Sequence, residues 1–518
     1  MRRRSAAESS LPAGWSHEAT NIVYAKVFMP PFLSLLLAIQ ALSNVEVPKG
    51  ATLHVRLDNA VGSFASRPGS AVRAIVVAPL KSGDVTVFPA GSEISGIVKS
   101  VQRVGLGVVH ETAALKLEFS TIAAPGAPPV TLASRVTAVD TGREEVLPSG
   151  VIREVRTTAS LGNRAAHLIR TFVLWDVHAQ IAAWAVKSLL MQVSEPEIYL
   201  PRGTELTLTL SGPVRAPAVP AEDDGPRPLT DEERSLLEPM LAELPTRTET
   251  PVKDRPSDLV NLMFVGSREE IAAAFRAAGW TEARRSTLRT NFSGAFAFVA
   301  GHGDRDAPMS QLVVNDAPSD MAWQKGFNDL SKRHHIRLWK QDATWNGQQV
   351  WIGAATRDVD YAYFRPGRMI SHKVARQVDH ERDKIVDDLA FTSCVDVADW
   401  WDRPDVPRFA RNATGDAMET DGRLGVVRLN ACTEPRQFAS GDDLPVHGGT
   451  WQLMLRRQIL NARSDLIRHN MYWRSYEGLR YLVAAVRHKP PPDPDAPPPV
   501  TFESREDGSK LNSYISLR

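Results

Sequence analysis

Two cysteines in 518 residues leave no room for a disulfide framework or a CxxC-type metal site. No uninterrupted apolar run reaches 18 residues, which excludes a polytopic membrane protein. Neither sign of charge prevails. The 61 basic and 60 acidic residues leave +1, so nothing marks a nucleic-acid binder. Several catalytic signatures are also missing. Without HExxH, a tight HxH, a Walker A loop, GxGxxG or GxSxG, the common zinc, nucleotide and α/β-hydrolase chemistries have no foothold. With 33 glycines and 36 prolines the chain is near average usage, which removes collagen-like and fibrous classes.

What is present reads as globular: 43% of residues are hydrophobic and 23% charged. At roughly 150 residues per domain the length suggests about three domains. Residues 1–43 read as a signal peptide or signal anchor. Arg2, Arg3 and Arg4 lead, Lys26 precedes an apolar core from Phe32 to Leu42, and Ala41 and Ser43 stand at −3 and −1 of a cleavage point before Asn44. The region ahead of that core is unusually long, and a buried N-terminal helix is the alternative, weakened by Pro30 and Pro31. In an exported chain Cys394 and Cys432 are able to pair; in the cytosol they would be buried thiols.

Residues 44–214 alternate apolar and polar in short runs such as LHVRLDNAV, ALKLEFSTI and VTLASRVTAV, the pattern of a β-barrel or sandwich. A turn motif occurs three times before such runs, at Pro48-Lys-Gly, Pro89-Ala-Gly and Pro201-Arg-Gly. Proline presets φ and glycine takes the positive-φ position, so each reads as a strand-entry turn. Between 164 and 193 the period becomes helical. That insertion either packs on the barrel mouth or lies in a membrane interface, because Asp176, His178, Gln180 and Lys187 make a span expensive. Residues 215–257 read as a linker holding one helix, Thr230 to Leu244, with Thr230 and Glu233 as a capping box.

The second body, 258–440, opens with a strand, NLMFVGS, and a helix that ends at Gly279. Seven of 12 tryptophans lie between Trp280 and Trp401, and five of 13 histidines between His302 and His380. Asn346-Gly347 is a strong hairpin signal. With no bulge it sets His335 opposite Asp358, Arg337 opposite Thr356 and Trp339 opposite Ala354; a single bulge would swap the faces. Such a face combines an imidazole, a carboxylate to orient it and a guanidinium suited to phosphate or carboxylate. Its other reading is a solvated sheet surface with a cross-strand ion pair. In VDHERDKIVDDLAF, Asp379 is the expected N-cap and Ile385, Val386, Leu389 and Ala390 form the buried stripe. One turn back, Glu381 and Arg382 fall in line with that stripe, ahead of His380 as pocket residues or as a structural ion pair.

The catalytic candidates are therefore His335, Asp358 and Glu381, with Arg337, Arg382 and His372 for substrate binding. No metal ligand set and no cofactor is specified. Residues 441–488 read as basic C-terminal helices, either packed on the second body or docking at a membrane surface, and 489–518 as a Pro-rich extended tail.

The P-x-G-[AST]-x-[LI] strand starts resemble the TrbI-like β-barrel subunits of conjugation and type IV secretion machines. That resemblance implies an envelope scaffold or interaction module. NLMFVGS…AAFRAAGW, RHHIRLW, VWIGAATRDV and HERDKIVDDL, from about Leu259 to Val426, look like the LssY C-terminal domain family. This implies a bacterial domain attached to membrane or exported modules, of unestablished activity. No phosphatase-like module is read beside it, so no such activity carries over.

The expected fold is multidomain: an N-terminal all-β barrel-like domain with a helical insertion, then an α+β domain. Two functions follow. One is a cell-envelope scaffold or binding protein, periplasmic or membrane-tethered, with a membrane surface or envelope proteins as partners and no nucleic acid. The other is a hydrolase of a phosphorylated or lipid-type substrate, using a His/Asp/Glu/Arg pocket.

Overall fold

Alternation with a period of two builds the first module. Its strands are β1 (Thr52–Leu57), β2 (Ala71–Val76), β3 (Glu93–Gln102), β4 (Ala114–Ala123), β5 (Val130–Thr131), β6 (Ser134–Val139), β7 (Glu144–Val146), β8 (Val151–Glu154) and β9 (Glu205–Leu210). Leu53, Val55 and Leu57 of β1 and Leu206, Leu208 and Leu210 of β9 point inward, while Thr52 and His54 point out. The antiparallel order is β6-β9-β1-β2-β3-β4-β8-β7, with β5 beside β4. The Ser134 hydroxyl of edge strand β6 donates to Phe119 O of β4 at 3.5 Å, so the sheet curls into a nearly closed barrel. Short strands Asn44–Val47 and Val214–Pro217 pair and join the ends of the module.

The three proline–glycine turns share one geometry. Gly50, Gly91 and Gly203 have φ of 93°, 89° and 94°, a conformation that favours glycine. Each glycine N–H bonds the last residue of a neighbouring strand: Leu210, Val76 and Leu57 respectively. The turns thus start a strand and fix it to the sheet at once.

The computed structural model describes residues 44–83, 85–105, 112–141, 144–154, 197–218, 225–251, 255–283, 309–326, 332–365, 368–436, 451, 455–456, 458–460 and 471–488. The expected export segment, the expected helical insertion over 164–193 and the Pro-rich tail lie outside the described residues. The described residues all fall within one compact unit.

The second module is α+β. Its sheet contains β10 (Leu262–Val265), β11 (Thr281–Glu282), β12 (Met321–Gly326), β13 (Arg333–Trp345), β14 (Gln348–Arg365), β15 (Arg368–Val374), β16 (Val395–Asp402) and β17 (Arg423–Leu429). The order is β11-β12-β13-β14-β10-β17-β16, with β15 on the distal half of β14 and β10 parallel to β17. Helix α1 (Asp231–Glu243) starts at Thr230 in a complete capping box with Glu233. Helix α2 (Arg268–Ala277) ends before Gly279, whose φ is 80°. Helix α3 (Asp379–Phe391) has Val378, rather than the expected Asp379, at its N-cap; the Asp379 carboxylate instead accepts the Asp421 N–H and the Thr420 hydroxyl. A further helix, α4 (Met471–Val486), lies near the end of the chain.

Helices α2 and α3 cover one face of the sheet, where Phe275, Ile385 and Leu389 meet Phe264, Ile336 and Leu338. Helix α1, from the segment read as a linker, covers the other with Leu237 and Leu241 against Met263, Trp339 and Val426. Each fully buried side chain of this size contributes about 1.5–3 kcal/mol. Cys394 and Cys432 form a disulfide with a Cα–Cα distance of 4.6 Å.

The β13–β14 hairpin turns at Asn346-Gly347, both at positive φ as a type I′ turn requires. Trp345 pairs with Gln348 as expected, but the register then shifts between Lys340 and Thr344. Three residues of β13, Gln341–Ala343, stand against Val350 alone of β14. Beyond the shift His335 pairs with Thr356, Arg337 with Ala354 and Trp339 with Ile352, which corrects the unbulged register. The slip is two residues, so each side chain keeps its expected face.

Candidate functional site

The odd-numbered face of β13 carries Arg333, His335 and Arg337, with Thr356 and Asp358 beside them on β14. Asp358 stands opposite Arg333 and diagonal to His335, within reach of both. His335 Nε2 donates to Asp358 Oδ1 at 3.1 Å, since a carboxylate only accepts. Its Nδ1 meets the Thr356 hydroxyl at 3.1 Å. Arg333 Nε donates to Asp358 Oδ2 at 2.8 Å, and His372 Nδ1 lies 3.6 Å from the same oxygen. Burial pushes the Asp358 carboxyl up, but His335, Arg333 and His372 more than reverse this and hold it well below the ordinary range. His335 and Asp358 are buried, and His372 reaches partly into solvent. So the structure brings together His335, Asp358 and His372.

The other candidates stand elsewhere. Arg337 is on the same face but turns to Ser310, at 3.2 Å to both O and Oγ, and to Asp258 at 3.5 Å. Glu381 lies on the opposite face, on α3. Arg382 is fully buried at the start of α3, bonded to Asp379, Asp383, Asp421 and the Arg423 carbonyl, with its guanidinium 4.8 Å from the Trp400 ring centre. It ties the helix to the 421–423 turn. Among the described residues, no group of three or more His, Cys, Asp or Glu is placed to hold a metal ion.

A second polar cluster joins the two modules. His334, on the even face of β13, donates from Nδ1 to Glu381 Oε2 and from Nε2 to Asp140 Oδ2, each at 2.6 Å. Asp140 follows barrel strand β6 and also pairs with Arg357 at 2.9 Å. Burial opposes a charge on His334, but Asp140 and Glu381 outweigh it and raise the imidazole above its usual value. Burial likewise pushes Asp140 up, and His334, Arg357 and Lys384 bring it down below the carboxylate range. The ring is therefore an imidazolium held between two carboxylates, one from each module.

Beside it, Arg56 and Glu205 are register partners on the outer face of β1 and β9. Glu205 pairs with Arg56 and Lys384, and with Lys325 at 2.7 Å. Asp388 of α3 receives Lys325 at 3.1 Å, Arg56 at 3.3 Å and the Trp280 Nε1–H at 3.0 Å. Burial pushes Glu205 up, yet Lys325, Lys384 and Arg56 keep it well below its usual value. Of the charged groups at this junction, only Glu381 was singled out in the sequence. Alternation shows that Arg56 and Glu205 face away from the barrel interior; it carries no sign that a second module covers them.

A family model described as LssY C-terminus matches residues 241–424. The match begins earlier than the expected Leu259 and takes in the end of α1. Among solved structures the chain is similar to ComB10 of the Com type IV secretion system of Helicobacter pylori, at 11% identity over 34% of this chain and 93% of that one, with a TM-score of 0.20. No curated protein matches the sequence.

Proposed function

We propose that this protein is an extracytoplasmic scaffold or binding protein of the bacterial envelope, in which the barrel-like module presents an LssY C-terminus domain in fixed orientation. One observation carries the reading: the polar groups that resemble catalytic machinery are spent on one another. Both ring nitrogens of His335 are engaged, and Asp358 is taken by Arg333 and His335. A hydroxyl–imidazole–carboxylate chain can activate a nucleophile, but here the Thr356 hydroxyl is only 1% exposed, so a substrate does not reach the group that His335 would activate. His334 is held between two carboxylates at the module interface. The disulfide supports an oxidising compartment.

One feature favours the hydrolase reading instead. His372 is partly exposed beside the ionised Asp358, where it could meet a ligand. The test is turnover of phosphomonoesters and carboxylic esters by the full chain, with and without divalent metals. No turnover above blank is expected. Turnover abolished in both Asp358→Asn and His372→Ala, with folding intact, would overturn the scaffold reading.

A further inference from the structure

Seven of the eleven large hydrophobic side chains exposed among the described residues fall within residues 451–486. The first group is anchored on the barrel. Leu460 enters the barrel core, and Arg456 reaches Glu197 at 2.5 Å and the Val104 carbonyl at 3.1 Å. Trp451, Leu455 and Ile459, four residues apart, project from this helical stretch into solvent. The second group is on α4, where Leu479, Leu482, Val483 and Val486 follow helical spacing and are 57%, 61%, 39% and 71% exposed. Nothing among the described residues covers these two stripes, and exposed apolar patches of this kind mark an interaction surface.

Charge identifies that occupant. Apart from Arg456, which pairs with Glu197, residues 451–488 hold six arginines against Asp465 and Glu477, in a chain whose overall balance is only +1. A second copy would bring the same arginines against each other, so self-association works against its own charge. An anionic bilayer offers an apolar interior for the stripes and phosphates for the guanidiniums, and tryptophan favours that boundary. No described helix is long and apolar enough to cross a membrane. We propose that the C-terminal helices dock in the plane of an anionic phospholipid surface, Leu479, Leu482 and Val486 buried in it and the barrel held close by the Leu460 anchor. The inference deepens the scaffold reading and rests on it for the compartment alone; hydrolytic turnover would sink that reading and leave vesicle binding untouched.

The test uses the full chain with phosphatidylcholine vesicles, with and without phosphatidylglycerol. Hydrogen exchange localises the contact, so binding by any other segment is told apart. Amides of 471–486 should slow only with the anionic vesicles. The triple variant Leu479→Asp, Leu482→Asp, Val486→Asp should partition about tenfold less and keep its thermal midpoint, since these side chains are exposed. Unchanged exchange at 471–486, or equal binding by the triple variant, would overturn the proposal. So would protection that appears at high protein concentration without lipid, which would indicate a second copy instead.

Discussion

His334 shows how one side chain acquires two roles. It is 1% exposed and its imidazolium is matched by Asp140 and Glu381, so its removal takes the cation from a buried Glu381 and leaves Asp140 to Arg357. His334→Ala should cost about 3–5 kcal/mol near pH 6, measured by denaturant unfolding. The pH dependence follows from the signs. His334 is raised above its unfolded value, so its contribution is full below about pH 6.5 and fades as pH climbs through the raised value. Asp140 is lowered, so its contribution is present above about pH 4 and is lost as pH falls. The difference between wild type and variant should therefore peak at about pH 5–6.5 and shrink on both sides. A pH-independent difference would mean that the ring is neutral and merely fills space.

At the scale of elements, Gly96 decides how β3 meets β4. A Cβ there would stand 2.2 Å from the Glu118 carbonyl oxygen, at a bulge in the pairing. Gly96→Ala should cost about 2 kcal/mol or more, read from the unfolding midpoint, because backbone on both sides must give. Local features of this kind were legible in the sequence. The Thr230–Glu233 capping box, the turn at Asn346-Gly347 and the three proline–glycine turns each depend on residues within four positions of one another. The burial of Glu381 and Arg382 was legible too, because a helical stripe continues one turn back from Ile385. The slip at Gln341–Ala343 was not, since none of those residues forces a bulge. Nor was the Asp140–His334 contact, which joins positions far apart in the chain through packing that no local pattern encodes.

For the whole molecule, the central question is whether barrel and second module move together. Glu205 sits among three cations, Arg56, Lys325 and Lys384, and is the barrel's main anionic contribution to that cluster. Glu205→Lys should weaken the junction by about 3–5 kcal/mol, because four cations would then share Asp388. Calorimetry should show one unfolding transition in the wild type and two in the variant, as the modules come apart before either melts. A single, unshifted transition in the variant would show that apolar contacts alone hold the modules.

The hairpin at Asn346-Gly347 has a further consequence. A strand has a reading frame of two: side chains return to the same face at every second residue, so length changes are silent in even steps and scrambling in odd ones. The two extra residues of β13 are an in-frame insertion. Removing any two of Gln341–Ala343 would straighten the ribbon and leave His334 facing Glu381 and His335 facing inward on the other side. Removing one would turn the whole distal strand over, exchanging Ile336 and Leu338 for Arg337 and Trp339 in the packing against α2 and α3. Drift in the length of this strand is thus restricted to pairs.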